Sequence, residues 1–284
     1  MFSIVIPSWN NLAFLRLAVD TIRRHSSAPH QILVHVNDGS DGSLDWVRAQ
    51  GIAHTHSDSN VGICYAVNRV AALATQPYLV YMNDDMAVTP GWDAPLIDTA
   101  GRLAGRRFML SATMVEPTAT GNRCVSVGDF GRDPASFREA DLIAALPALR
   151  RGDWLGSTWP PTLVPTWMWT EVGGYSVELS PGMSSDNDFT MKLWHAGCRV
   201  FLGLGDSLVY HFACVSTARI VKNNGGRQFL RKWGIGQRDF DRICLRRGET
   251  VEREAGLCER VLDDEDEARL AKAHRKASWS VRLK

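Results

Sequence analysis

Tyr78-Leu79-Val80-Tyr81-Met82-Asn83-Asp84-Asp85 passes from five apolar or aromatic residues straight into an amide and two carboxylates. A continuous apolar run of this length is the pattern of a strand buried on both faces. Two adjacent carboxylates at its end repel each other unless a cation or hydrogen-bond donors offset them. The same arrangement occurs twice upstream. Ile4-Val5-Ile6 leads through Pro7 into Ser8-Trp9-Asn10-Asn11, and Ile32-Leu33-Val34 leads into Asn37-Asp38-Gly39-Ser40. Between these two runs, Leu12, Leu15, Val19 and Ile22 recur at helical spacing, as Cys64, Val67, Ala71 and Ala74 do before the third. A further short strand is expected around Ile52 to His56, and Asp41, Ser43 and Asn60 are candidate N-caps. Such alternation implies an α/β fold with a mostly parallel sheet flanked by helices. Its ligand belongs at the polar strand ends.

The second half is less regular. Phe108 to Val115 reads as a strand, and Pro134 to Leu149 contains a helix. A tryptophan-rich stretch from Trp154 to Tyr175 follows. Ser184-Ser185-Asp186-Asn187-Asp188 then opens a helix with Phe189, Leu193 and Ala196 on one face and Gly197 at its end. Val200 to Val209 reads as a strand or hairpin leading into His211, and the tail from Arg219 as helical.

Composition excludes several classes. With 284 residues, 45% hydrophobic and 22% charged, the chain is neither disordered, collagen-like nor a coiled-coil rod. No apolar run approaches the ~20 residues of a spanning helix, and the opening residues lack a signal peptide's charged start. The expected location is therefore the cytoplasm. Cys64, Cys124, Cys198, Cys214, Cys244 and Cys258 include no Cys-x-x-Cys pair, which argues against structural zinc or a redox dithiol. The net charge of +1 hides an asymmetry. From Arg219 on, 17 Lys and Arg face 11 Asp and Glu, so the preceding body is acidic. A basic tail admits contact with phosphates, including an anionic membrane surface, or an ordinary solvated helix face. The near-neutral total argues against a nucleic-acid partner.

Each chemistry-bearing cluster has two readings. Asn83-Asp84-Asp85 suits a hard divalent cation, which takes oxygen ligands and bridges phosphates, or a solvated turn. His211 is a ligand for such an ion or a packed imidazole. Asp186 and Asp188 are a helix's acidic first turn, and an ionised carboxylate there can also accept a proton from a sugar hydroxyl. Trp159, Trp167 and Trp169 are core residues or a platform for an acceptor sugar. The last two share a face if their segment is extended. No Gly-x-Gly-x-x-Gly follows the first strand, which counts against a dinucleotide-dependent oxidoreductase.

Taken in order, these clusters resemble the family-2 glycosyltransferases of GT-A fold, over residues 3 to 215. Ser3 to Asn11 is similar to that family's opening strand and first donor loop, which implies donor contacts at Pro7, Ser8 and Asn10. Val36 to Ser43 resembles its Asp-Asp-Gly-Ser segment, with Asp38 as the aspartate that contacts the base. Asn60-Val61-Gly62 to Asn68 resembles the stretch beside the nucleoside, implying roles for Asn60, Gly62 and Asn68. Asn83-Asp84-Asp85 resembles the metal-binding DXD segment with Asn83 in place of its first acid. Asp85 is then the metal ligand, joined by His211, and Asp84 a ribose or metal-shell partner. Glu171 to Tyr175 is similar to the Val-Gly-Gly-Phe segment of the acceptor side. Ser185-Asp186-Asn187-Asp188 resembles the Glu-Asp-x-Asp motif, which makes Asp186 the catalytic base, with Ser185 in place of the glutamate.

The resemblance implies a Mn2+- or Mg2+-dependent inverting transfer of sugar from a nucleotide diphosphate sugar, UDP- or dTDP-linked, to a saccharide or glycolipid hydroxyl in surface polysaccharide synthesis. Asp188 and the three tryptophans are the acceptor-side candidates. It divides the chain into a glycosyltransferase domain at 1–218, with a donor half at 1–105 and an acceptor half at 106–218, and a helical extension at 219–284. A catalytically silent sugar-binding scaffold and a sugar nucleotidyltransferase are the alternatives. The nucleotidyltransferase lacks its glycine-rich basic loop after the first strand.

Overall fold

The computed structural model describes residues 1–213 and 220–282, so Cys214 and the expected boundary at 218/219 lie outside the described residues. Residues 1–105 contain β1 (Phe2–Trp9), α1 (Leu12–His25), β2 (Gln31–Asn37), α2 (Ser43–Ala49), β3 (Ala53–Ser57), α3 (Ile63–Ala71), β4 (Tyr78–Tyr81), β5 (Met86–Val88) and α4 (Ala94–Arg102). Next come β6 (Phe108–Glu116), β7 (Val125–Val127), α5 (Glu139–Leu149), β8 (Asp153–Leu155), β9 (Thr162–Pro165), α6 (Thr166–Val172), α7 (Ser185–His195) and β10 (Val200–His211). The tail adds α8 (Gly225–Trp233), α9 (Gln237–Ile243), β11 (Thr250–Val251), α10 (Arg253–Gly256) and α11 (Asp264–Arg282).

One sheet runs through the molecule in the order β11-β8-β10-β6-β9-β4-β1-β2-β3. The stretch β4-β1-β2-β3 is parallel throughout, as the apolar runs imply. Beyond it the sheet is mixed, because β9 lies antiparallel between β4 and β6. Strand alternation explains the two layers. Ile4 and Ile6 pack with Leu15, Val19 and Ile22 of α1, whereas Val5 packs with Val67 and Val70 of α3 on the opposite face. All three β1 residues are fully buried.

The tail is helical as expected, and it is continuous with the body. Phe229 of α8, Phe240 and Ile243 of α9 and Ala273 of α11 share one apolar cluster with Phe189, Leu193 and Trp194 of α7. Its β11 pairs with β8 at the sheet edge. Among the described residues no helix is long and apolar enough to cross a membrane.

Trp167 and Trp169 correct the sequence reading, for their segment is helix α6 rather than extended chain. Pro165 precedes its first residue, and Gly173, at φ +71°, ends it through bonds from Gly173 N to Thr170 O and Gly174 N to Trp169 O. Two residues apart on a helix point to different sides. Trp169 is buried against Tyr175 and Phe189, and Trp167 stands exposed under the guanidinium of Arg107, 4.8 Å from its ring centroid.

Candidate active site

Parallel pairing aligns the ends of β1, β2 and β4, with Trp9 beside Asn37 and Val5 beside Tyr81. A cleft of ≈ 450 Å³ opens at these ends. Pro7, Ser8, Asn60, Gly62, Asn83, Asp84, Asp85, Asp186 and His211 all line it, so most of the expected donor-side residues converge there. Buried Asn37 joins three of the contributing loops: its Nδ2 donates to Ser8 O, and its Oδ1 accepts from Val61 N and Ser57 Oγ. Asn60 Oδ1 accepts from Gly62 N at 2.9 Å, which shapes the entry to α3.

Asn10 and Asp38 stand one residue beyond Trp9 and Asn37, and they face each other rather than lining the cleft. Both backbones are left-handed, at φ +45° and +63°. Asn10 Nδ2 donates to Asp38 Oδ2 at 2.9 Å, and hydrogen bonds from Ser40 and then Asn10 hold the Asp38 carboxyl below the usual carboxylate range.

The acidic segment is held from both sides. Ser8 Oγ donates to Asp84 Oδ2 at 2.7 Å, and Tyr81 Oη to Asn83 Oδ1 at 2.8 Å. Burial, then the charge of Asp85, pushes the Asp84 carboxyl up to about 7. Antiparallel pairing of β10 with β5 sets His211 opposite Met86, and Phe212 N donates to Asp85 O. This brings His211 Nε2 to 3.5 Å from Asp85 Oδ2, with Nδ1 at 3.0 Å from Glu116 Oε1. Burial opposes a charge on the ring, but bonds to Asp85 and Glu116 outweigh it and raise His211 to about 9. Glu116, at the end of β6, was not among the sequence candidates. The one available signal was its place as an acid ending an apolar run.

Asp186 is the second residue of α7. It is half-buried, and Tyr175 Oη donates to its Oδ1 at 2.6 Å. Burial raises the carboxyl to about 6, against the lowering effect of that bond. Tyr175 is itself fixed by Asn68, whose Nδ2 donates to Tyr175 O at 2.7 Å and whose Oδ1 accepts from Tyr175 N at 2.8 Å. Asn68 therefore grips the support of Asp186 and does not line the cleft. A side chain on Gly174 would place Cβ 2.4 Å from Asn68 Oδ1, so this close approach requires glycine.

Asp188 lies outside the cleft as well. Fully buried, it accepts from Trp233 Nε1 at 2.7 Å and from Ser176 Oγ, and pairs with Lys232 Nζ at 3.0 Å, tying α7 to α8. Trp159 lines a second cavity, of ≈ 820 Å³, which shares Tyr81, Asn83, Asp186 and His211 with the cleft. Of the three tryptophans, only Trp159 lines either cavity.

The cleft is lined by three aspartates and, among the described residues, by no Lys or Arg. No three His, Cys, Asp or Glu side chains among the described residues are arranged to hold an ion by themselves. Asp85 and His211 could supply two ligands, a set that would fit Mn2+ or Mg2+ because such ions complete their shell with phosphate oxygens and water. On losing its Nε2 proton to an arriving cation, His211 would offer that nitrogen, its Nδ1 being engaged by Glu116.

The fold has solved counterparts. The structure of S. aureus TarS 1-349 in complex with UDP-GlcNAc matches with a TM-score of 0.58 and 13% identity, over 82% of this chain and 65% of that one. S. aureus TarS 1-349 alone gives 0.56 and 13%, over 74% and 60%. GalNAc-T7 with UDP, GalNAc and Mn2+ gives 0.56 and 15%, over 79% and 44%. The chain thus spans under two thirds of each of these proteins. No curated protein matches it in sequence. The model of the family described as Glycosyl transferase family 2 matches residues 3–105, from β1 through the helix after the acidic segment. Residues 3–105 thus match glycosyl transferase family 2, and the chain has the GT-A fold.

Proposed function

We propose that the chain is a metal-dependent inverting glycosyltransferase that moves a sugar from a nucleotide diphosphate sugar to a hydroxyl of a saccharide or lipid-linked acceptor. The observation that carries this reading is the pair of cavities meeting at Asp186, one of them an acidic cleft at family-2 strand ends. A diphosphate entering among Asp84, Asp85 and Asp186 is repelled unless a divalent cation accompanies it. Mn2+ or Mg2+ held by Asp85 and His211 would neutralise charge on the leaving diphosphate. The protein's own residues do the rest. Asp186, shared by both cavities, accepts the proton of the acceptor hydroxyl, and Tyr175 holds its carboxylate in place. The freed oxygen bonds to the anomeric carbon from the face opposite the diphosphate as the bond to the phosphate oxygen breaks. Complexes of TarS with UDP-GlcNAc and of GalNAc-T7 with UDP support a uridine donor, with dTDP as the alternative. We place the enzyme in the cytoplasm, in surface polysaccharide synthesis.

Thermal-shift measurements with UDP, dTDP, GDP and CDP, each with and without Mn2+, test the donor site. At about 100 times Kd, UDP with Mn2+ should add roughly 2.7 kcal/mol of stability, and Asp85→Ala should remove the effect. Absence of a shift with every nucleotide would reject the reading.

A peripheral contact with an anionic membrane would use Arg227 and Arg231 of α8, which are exposed and without a carboxylate partner among the described residues. Lys232, Arg242, Arg246 and Arg247 are already paired with acids. Truncation of the tail is an unsound test, since it would remove Phe229 and Phe240 from the core. Charge reversal at Arg227 and Arg231 should abolish sedimentation with phosphatidylserine vesicles; unchanged sedimentation would discount the contact.

A further inference from the structure

We propose that the second cavity selects an acceptor carrying a negative charge, a carboxylate or a phosphate, through Arg247 and Arg238; the inference rests on the glycosyl-transfer reading and adds a substrate class to it. Both guanidiniums line the cavity that shares Asp186 with the donor cleft. Among the described residues, the arginines that line either cavity are thus both in the second.

Arg247 is built into place. Its backbone N–H donates to Asp241 O, its Nη1 lies 3.0 Å from Asp241 Oδ2, and its Cζ sits 3.5 Å from the ring centroid of Trp159. A Cβ on Gly156 would come within 2.6 Å of Arg247 Cα, so glycine there permits the approach. Trp159 therefore carries a guanidinium on one ring face, where the sequence left open a core residue or a sugar platform. A stacked, ion-paired guanidinium has lost its freedom before a ligand arrives, and its remaining donors suit a planar carboxylate or a phosphate. Arg238 is exposed and has no carboxylate partner among the described residues. The acids of the cavity are engaged elsewhere: Glu116 with His211, and Asp186 with Tyr175. A neutral sugar would leave the Arg238 charge unused, whereas an anionic one would meet both cations while presenting a hydroxyl towards Asp186.

Titration of methyl β-glucuronide, glucose 6-phosphate and methyl β-glucoside, with UDP and Mn2+ filling the donor cleft, tests this by ligand-observed NMR. At least one charged sugar should bind about tenfold more tightly than the neutral glucoside, equivalent to about 1.4 kcal/mol, and the tighter of the two identifies the anion. Arg247→Gln and, separately, Arg238→Gln should reduce that preference. Arg238 lies on the surface, so its variant keeps the test valid even if loss of the Asp241 partner unfolds the other. Lack of preference in the wild type, whether all the sugars bind or none does, overturns the proposal, as does a preference that both variants retain. UDP-induced stabilisation of the same samples reads the donor cleft separately. Its persistence beside a failed preference would sink the anionic acceptor alone, and its loss would sink the transferase reading.

Discussion

Asp186→Asn should lower sugar transfer by about 10²- to 10⁴-fold, the range associated with loss of a general base, while UDP binding with Mn2+ persists. Initial rates at saturating donor, with thermal shift on the same samples, would check both halves; a variant within threefold of wild type would remove Asp186 from the role. In the wild type the carboxyl is raised to about 6 by burial. It is protonated below that pH and unable to accept a proton, so the rate should fall as pH drops through about 6. Tyr175→Phe removes the bond that favours the ionised form. The acid limb of its pH profile should therefore move upward, a shift that a merely structural loss would not produce. Linkage supplies a second sign. With its pKa raised in the folded chain from 3.8 to about 6, this group favours folding below 3.8 and loses that contribution as pH rises through about 6. At pH 8 the neutral amide should consequently fold at least as stably as the carboxylate.

The largest effect on stability belongs to a neighbour two residues away. Asp188→Ala should cost about 1–3 kcal/mol for each buried donor it leaves unsatisfied, namely Trp233 Nε1 and Ser176 Oγ, while Lys232 keeps Glu178. Lys232 Nζ, Trp233 Nε1 and Ser176 Oγ all converge on this fully buried carboxylate. Denaturant titration should show the loss, and a change under 1 kcal/mol would mean that α8 docks through its apolar face alone. Adjacent acidic positions in one helical turn thus serve opposite ends. One faces the cavities, and the other is sealed beneath α8.

That division marks how far the sequence could be read. Apolar runs reveal β1, β2 and β4 because strands buried on both faces must be apolar throughout, and their polar ends then locate Ser8, Asn37 and Asp84 in the cleft. Asp186 and His211 are legible through their ordered place among those segments. Contacts between distant segments are not. Nothing in the local sequence ties Asn68 to Tyr175, 107 residues on, or sets Glu116 behind His211. The tryptophans fail for a different reason: a bulky aromatic segment suits a strand or a helix, and only the flanking Pro165 and Gly173 favour the helix. Arg247 looked like part of a solvated basic face because Asp241 and Trp159, which hold it, belong to its tertiary surroundings.

The cluster that joins Val5, Leu33 and Leu79 to Phe229, Phe240 and Ala273 bears on biosynthesis. Chains emerge N-terminal first, and the local strand–helix–strand contacts of residues 3–105 are available early. Helix α3 covers Val5 within that segment, but Phe189, Leu193 and Trp194 of α7 lack the rest of their cluster until the last helices leave the ribosome. The half-made chain then exposes apolar surface at its most aggregation-prone moment. The stretch that matches the family model is shorter than the unit that folds.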